Sequence, residues 1–289
     1  MISQEARDLF AANVKAMTAG DAAHLASQVL PDDVSRLKDI AYVNDGDAAH
    51  LLDIYTPADA EEGAALPVIV DFHGGGLYYG NKENNECRDM LLARQGFAVV
   101  NTNYRLVPAV SFPAQLADAM AVLDWVRDHG AEYGLDAERV CVTGDSAGGA
   151  LGLRQFGIDV HALVVTSGMF RLQGGVHANA LSYYMEGYLQ TPADHIKVNP
   201  YLDLDKLIVD GDVPPIYMIT SVEDFIADNT YELARILHAR HKDHAMSVWP
   251  KGRERVLGHV FNIVQAGDPE AGEAHQVIRD IADYCKRYI

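Results

Sequence analysis

The sequence predicts an α/β fold, with a mostly parallel central sheet of about eight strands, helices on both faces and a small helical cap. Three observations carry this expectation. From residue 40 onward, short apolar runs of strand type alternate with stretches of helical periodicity. The chain has 289 residues, 49% of them hydrophobic, enough for the core of one large α/β unit. Glycine-rich turns stand directly after two of the apolar runs, at 73–76 and 144–149, where a strand hands over to the next element.

The strands are expected at Ile40–Val43, Leu51–Tyr55, Pro67–Phe72, Phe97–Tyr104, Val140–Thr143, Ala162–Thr166, Ile216–Thr220 and Met246–Trp249. Asn44-Asp45-Gly46-Asp47 between the first two reads as a hairpin, so the sheet starts antiparallel. Helices are expected over Glu86–Arg94, Ala114–Asp128, Thr230–Ala239 and Glu270–Tyr288; in the second, Leu116, Met120, Leu123 and Val126 share a face. The N-terminus reads as an amphipathic helix carrying Leu9, Phe10, Val14 and Met17 on one side. Two segments break the strand–helix rhythm, residues 1–38 and about 170–210. We read 1–38 and the insertion as parts of a cap, set on a core spanning 39–289. The insertion is rich in tyrosine for a bare surface loop, with Tyr183, Tyr184 and Tyr188.

Charge and cysteine usage narrow the function classes. Lys+Arg 23 against Asp+Glu 41 gives a net charge of −18, which repels nucleic acid and anionic membranes. No apolar run is long enough to cross a membrane, and the N-terminus does not read as a secretory signal. Cys87, Cys141 and Cys285 show no metal-ligand spacing and point to a reducing, cytoplasmic setting, with Cys141 and Cys285 as core residues. His238, His241 and His244 invite a metal reading, but no zinc motif accompanies them and no metal is expected.

Gly144-Asp145-Ser146-Ala147-Gly148 fits G-x-S-x-G between a strand and a helix, the setting in which a serine nucleophile is presented on a tight turn. His73-Gly74-Gly75-Gly76 follows another strand and exposes backbone N–H groups, the donors that an acyl-transfer reaction needs around its oxyanion. A phosphate loop is the rival reading, and it lacks a following Gly-Lys-Ser/Thr. A serine needs a base and the base needs an orienting acid. The stretch 220–228, which holds Glu223, Asp224 and Asp228, follows the strand at 216–220, and His259 follows the last strand, giving the order serine, acid, histidine. Glu223 and Asp228 are the neighbouring carboxylates; Asp228 is expected to cap the helix that begins near Asn229.

These motifs resemble the hormone-sensitive-lipase-like family of α/β-hydrolases, the bacterial carboxylesterases. The matching stretches are HGGG at 73–76, Tyr104-Arg105-Leu106, Phe112-Pro113-Ala114, GDSAGG at 144–149, Asp224 with Asp228 in a D-x-x-x-D pattern, and His259, over roughly residues 40–289. The resemblance implies the α/β-hydrolase fold and Asp224 as the acid that orients His259. Ester hydrolysis by a serine, a histidine and an acid is expected to need no cofactor. The resemblance also implies oxyanion donors at Gly75, Gly76 and Ala147, with support for the glycine loop from His73, Gly74, Tyr104 and Arg105. The chain departs from the family at Ala150, where Asn is usual, in Gly152 and Gly157 interrupting the helix after Ser146, and in a long loop before His259.

The expected function is a serine carboxylesterase acting on small, water-soluble esters with acyl groups from acetyl to about hexanoyl. Tyr78, Tyr79, Tyr183, Tyr184 and Tyr188 are expected to narrow the substrate site. A feruloyl-type or sugar-acetate esterase, an amidase on the same fold, and an inactive binding module are the alternatives, and a homodimer is left open.

Overall fold

A computed structural model describes residues 2–61, 63–153, 160–170, 181–194 and 204–289, with 181–184 and 210 described by their backbone only. The described strands form one eight-stranded sheet in the order β1-β2-β4-β3-β5-β6-β7-β8. They are β1 Val34–Ala41, β2 Leu51–Pro57, β3 Leu66–Phe72, β4 Ala98–Thr102, β5 Leu135–Asp145, β6 Ala162–Thr166, β7 Ile216–Ser221 and β8 His244–Trp249. The β1–β2 and β2–β4 pairs are antiparallel and the other five are parallel, so the sheet starts antiparallel as the hairpin signal predicts.

The helices are α1 Gln4–Ser27, α2 Glu86–Ala93, α3 Pro113–His129, α4 Ala147–Leu153, α5 Leu181–Tyr188, α6 Leu204–Asp210, α7 Ala227–Ala239, α8 Phe261–Val264 and α9 Gly272–Cys285. Alternate side chains of each central strand enter opposite cores. Val68, Val70, Val142 and Val165 pack with α3 and α7. Ile69, Cys141, Val164 and Ile219 pack with α2 and α9. Strands β4 and β6 are buried at every position, which is why they read as continuous apolar runs rather than alternating ones. All three cysteines are buried.

The first strand differs most from its expected position, Ile40–Val43. It runs over Val34–Ala41, an edge strand exposed along most of its length. Ser35, Arg36, Lys38 and Asp39 blunt that edge against pairing and erase the apolar run that marks inner strands. The pairing register shifts between Leu37 and Ile40, with Asp39 at φ 60°.

The C-terminal ends of β3, β5, β7 and β8 lead respectively into the glycine loop, Ser146, the Asp224 turn and the His259 loop. In a parallel sheet that edge is where ligand sites form. Helix α1 lies against α5 across this region: Ser3 N–H donates to Glu186 at 2.9 Å, and Phe10 packs edge-on against Tyr78 and Tyr188.

Candidate active site

Ser146 sits between β5 and α4 with φ 48°, the left-handed region that a residue with a Cβ enters only at a cost. Two backbone bonds lock it there: its N–H donates to Thr166 O at 3.0 Å, and its carbonyl accepts from Met169 N–H at 2.8 Å. The glycines around it are steric requirements. A Cβ on Gly144 would stand 2.6 Å from the Gly148 carbonyl carbon, and one on Gly148 would overlap the Phe72 carbonyl oxygen. Only glycine lets α4 leave the sheet this tightly, and Ala147 becomes the first residue of a helix whose first N–H groups have no intrahelical partner.

The glycine loop is held peptide by peptide. His73 Nδ1 lies 2.7 Å from Gly74 O and donates to it. Burial drives the His73 pKa down to about 4, so the ring is neutral, with its proton on Nδ1. A trans peptide directs its C=O and N–H to opposite sides, so anchoring Gly74 O fixes the direction of the Gly75 N–H. Gly75 O in turn accepts from Tyr78 N–H at 3.2 Å and Tyr79 N–H at 3.0 Å, which fixes the Gly76 N–H. Gly75 and Gly76 have φ 104° and 62°. The Gly74 N–H donates to Asp145 Oδ1 at 3.1 Å. Tyr104 stacks on His73 at 4.3 Å and donates to its carbonyl at 2.6 Å.

Arg105 corrects one expectation. Its guanidinium and its N–H bind Asp118 of α3, so it fastens that helix rather than the glycine loop. The segment reaches the loop through Tyr104 and through Val107 N–H, which donates to Leu77 O at 2.9 Å.

His259 Nδ1 donates to Asp224 Oδ1 at 2.8 Å. The other Asp224 oxygen accepts from Thr220 Oγ1 at 2.9 Å, and Oδ1 also accepts from Ile226 N–H at 3.1 Å. Burial alone would raise the Asp224 pKa; the His259 hydrogen bond and charge, with the Ile226 N–H and Ser167, outweigh it and hold the carboxyl below its usual value. Asp228 is not the cap expected of it. Helix α7 already begins at Ala227, so Asp228 lies exposed in its first turn, and the Ile226 N–H at the helix entry is taken by Asp224 itself. Glu223 is turned away from His259: its Oε2 accepts from Gly252 N–H at 3.0 Å and Leu257 N–H at 2.8 Å, clasping the loop that carries the histidine.

Ser146, His259 and Gly74–Gly76 line one cavity of about 260 Å³. Tyr78, Tyr79 and Tyr188 line it too, with two of their hydroxyls engaged in the wall itself: Tyr79 donates to Asp21 at 2.7 Å and Tyr188 to Gly76 O at 2.8 Å. The side chains of Tyr183 and Tyr184 lie outside the described residues. Sequence reasoning missed Met17, Asp21 and His24, which α1 lays along the cavity, and Met169, Phe225 and Ile263. The spacing of the first three, one and two turns apart on one helix face, is the signal that was available. It missed as well a buried polar cluster beneath the glycine loop, where Asn85 Nδ2 bridges Asp71 at 2.7 Å and Asp145 at 2.8 Å, and Arg88 pairs with Asp71 at 2.6 Å. Among the described residues, no group of three or more His, Cys, Asp or Glu side chains is placed to hold a metal.

Comparison with known proteins finds esterases among both sequence relatives and solved structures. The BD-FAE family model matches residues 52–159. The esterase LipI of Mycobacterium tuberculosis is 39% identical over 100 residues, 34% of this chain and 31% of LipI. An acetyl esterase of Salmonella schwarzengrund is 26% identical over 220 residues, 68% of each chain. LipM of M. tuberculosis, a probable carboxylic ester hydrolase, is 30% identical over 206 residues, 64% of this chain and 47% of LipM. The chain thus spans less than half the length of the two mycobacterial relatives. Among solved structures, esterase B from Lactobacillus rhamnosis superposes with a TM-score of 0.88 at 24% identity, covering 99% of this chain and 97% of that one. The esterase of Pyrobaculum calidifontis gives 0.73 at 21% identity, covering 99% and 98%. The sheet order is that of the α/β-hydrolase fold, and the motifs and relatives make the chain similar to the hormone-sensitive-lipase-like carboxylesterases.

Proposed function

We propose that the chain is a serine carboxylesterase that hydrolyses small, water-soluble esters of short acids, acetyl to about hexanoyl, through an acyl-enzyme. One observation carries the reading: Ser146, held at φ 48°, shares a cavity with an imidazole whose Nδ1 is bonded at 2.8 Å to a buried carboxylate. That bond keeps the proton on Nδ1 and leaves Nε2 as the base. Ser146 Oγ attacks the ester carbonyl carbon as His259 takes its proton. The oxyanion is received by the N–H groups of Gly75, Gly76 and Ala147, each worth on the order of 3 kcal/mol. His259 then returns the proton to the alcohol oxygen as the C–O bond breaks. Water, deprotonated by the same ring, attacks the acyl carbon and frees the acid and Ser146.

Short acyl groups are favoured by the size of the cavity, about 260 Å³, below the range of about 300–1,000 Å³ usual for drug-sized ligands. The acetyl esterase relative and the tributyrin phosphonate in an L. rhamnosis esterase B structure point the same way. We read α1 and the described part of the insertion, α5 and α6, as the cap over this cavity, and the three buried thiols as fitting a reducing cytoplasm. Among the described residues no helix is long and apolar enough to cross a membrane.

The test is Ser146→Ala. It is expected to abolish labelling by a fluorophosphonate and to lower turnover of a soluble butyrate ester by several orders of magnitude in folded protein. Near-normal turnover would end the reading. Faster hydrolysis of emulsified long-chain triglyceride than of soluble butyrate by the wild-type protein would overturn the acyl preference, and matched ester and amide substrates separate esterase from amidase.

A further inference from the structure

Phe225 stands between the proposed triad acid Asp224 and Ile226, on the turn after β7, and has no part in the chemistry above. At 73% exposure it is the most exposed large apolar side chain described. Its ring centroid lies 4.7 Å from that of His259, tilted by 51°, and it lines the cavity beside Ile226, Val260, Ile263 and Val264. An aromatic ring left in water forfeits the gain of burial, which such a side chain ordinarily collects by packing inward. Phe225 remains at the cavity wall, against the imidazole that handles the proton.

The chemistry decides which part of a substrate meets it. In acylation the acyl carbon stays on Ser146 and its oxygen on the glycine-loop donors, while the alcohol oxygen must approach His259 to be protonated. The group attached to that oxygen therefore extends along the His259 side, over Phe225 and its aliphatic neighbours. Asp21 and Asp145 line the same cavity, and the chain carries a net charge of −18, so an anionic group is disfavoured there. We infer that Phe225 forms an alcohol-side subsite for flat, uncharged apolar groups, making esters of neutral aromatic alcohols the preferred substrates. This subsite rests on the esterase reading above.

Benzyl butyrate and ethyl butyrate test it, because they form the same butyryl-enzyme and their alcohols differ little in basicity, so kcat/KM reports the acylation step alone. The wild-type protein is expected to favour the benzyl ester. Phe225→Ala is expected to lower the benzyl-to-ethyl ratio of kcat/KM about tenfold, the scale of one aromatic contact, and Phe225→Trp to retain it. Labelling of Ser146 by a fluorophosphonate is measured on each variant. A labelled Phe225→Ala protein with the wild-type ratio overturns the subsite and leaves the esterase standing. So does an equal fall on both esters, which would show that Phe225 only positions His259. A wild-type protein that is neither labelled nor active on either ester defeats the esterase reading, and the subsite with it.

Discussion

Asp224 and Asp145 both lie buried beside the cavity, each one residue from a group proposed to touch substrate, yet their surroundings shift their pKa values in opposite directions. Burial pushes both carboxyls up. At Asp224 the His259 ring, the Ile226 N–H and the Thr220 and Ser167 hydroxyls surround the carboxylate with donors and keep it ionised. At Asp145 burial is joined by the charge of Asp71, and Asn85 and Arg88 relieve it only in part, so its pKa rises to about 6. The difference teaches that burial does not fix a carboxylate's role; its donors do. Asp224 is built as a permanent anion facing an imidazole, whereas Asp145 is a strut between the Gly74 N–H and the cluster beneath it.

Substitution at the two sites separates these roles. Asp224→Asn removes the anion that fixes the His259 tautomer, and turnover of a soluble butyrate ester is expected to fall about 10⁴-fold, the loss seen for the comparable change in a serine protease. Asp145→Asn keeps an oxygen for the Gly74 N–H, and turnover is expected to fall only about tenfold. A comparable loss in both would erase the distinction. Stability against pH sharpens it. Between the unfolded carboxyl value of 3.8 and about 6, native Asp145 holds a proton that the unfolded chain has released. The native state then binds more protons, so this residue makes stability decline as pH rises through that window. Urea unfolding of Asp145→Asn at pH 4 and pH 7 is expected to show that decline reduced, by up to roughly 3 kcal/mol. An unchanged pH dependence would place the raised pKa elsewhere in the cluster.

What the sequence revealed follows the same division. Ser146 and the glycines around it were legible because a left-handed strand-to-helix turn and a close helix–strand approach tolerate few residues, so the spacing itself carries the geometry. His259 and Asp224 were legible by chain order, each just past a strand end. The inner strands were legible because burial on both faces leaves an unbroken apolar run. The first strand was misplaced because an exposed edge carries charges where an inner strand carries valine. Asn85, Arg88 and Asp71 gave no signal at all: they lie in three separate elements, and only the packing of α2 and its entry turn under β3 and β5 brings them to Asp145. Arg105 was read from a motif that names residues without saying which neighbour each one holds.

Glu223 extends the comparison to a third carboxylate. It is adjacent to Asp224 in sequence, but its side chain leaves the turn in the other direction and accepts from Gly252 and Leu257 N–H. Those two bonds hold its carboxyl below the usual value. The Ser221 hydroxyl donates to Leu257 O from the same strand end, so the loop is gripped on both sides of one peptide bond chain before it reaches His259. Glu223 therefore acts on the histidine through the loop, while Asp224 acts on it directly. Glu223→Ala frees the two N–H groups and removes one grip but leaves the His259–Asp224 bond available. Its turnover loss is expected to be the smallest of the three, and its signature lies elsewhere: trypsin should cut at exposed Arg253 faster than in the wild-type protein, and Glu223→Gln, which keeps an acceptor oxygen, should recover part of the protection. Unchanged cleavage in Glu223→Ala would mean that Ser221 alone secures the loop. A turnover loss as deep as that of Asp224→Asn, without faster cleavage, would erase the distinction between a carboxylate that acts through the loop and one that acts on the ring directly.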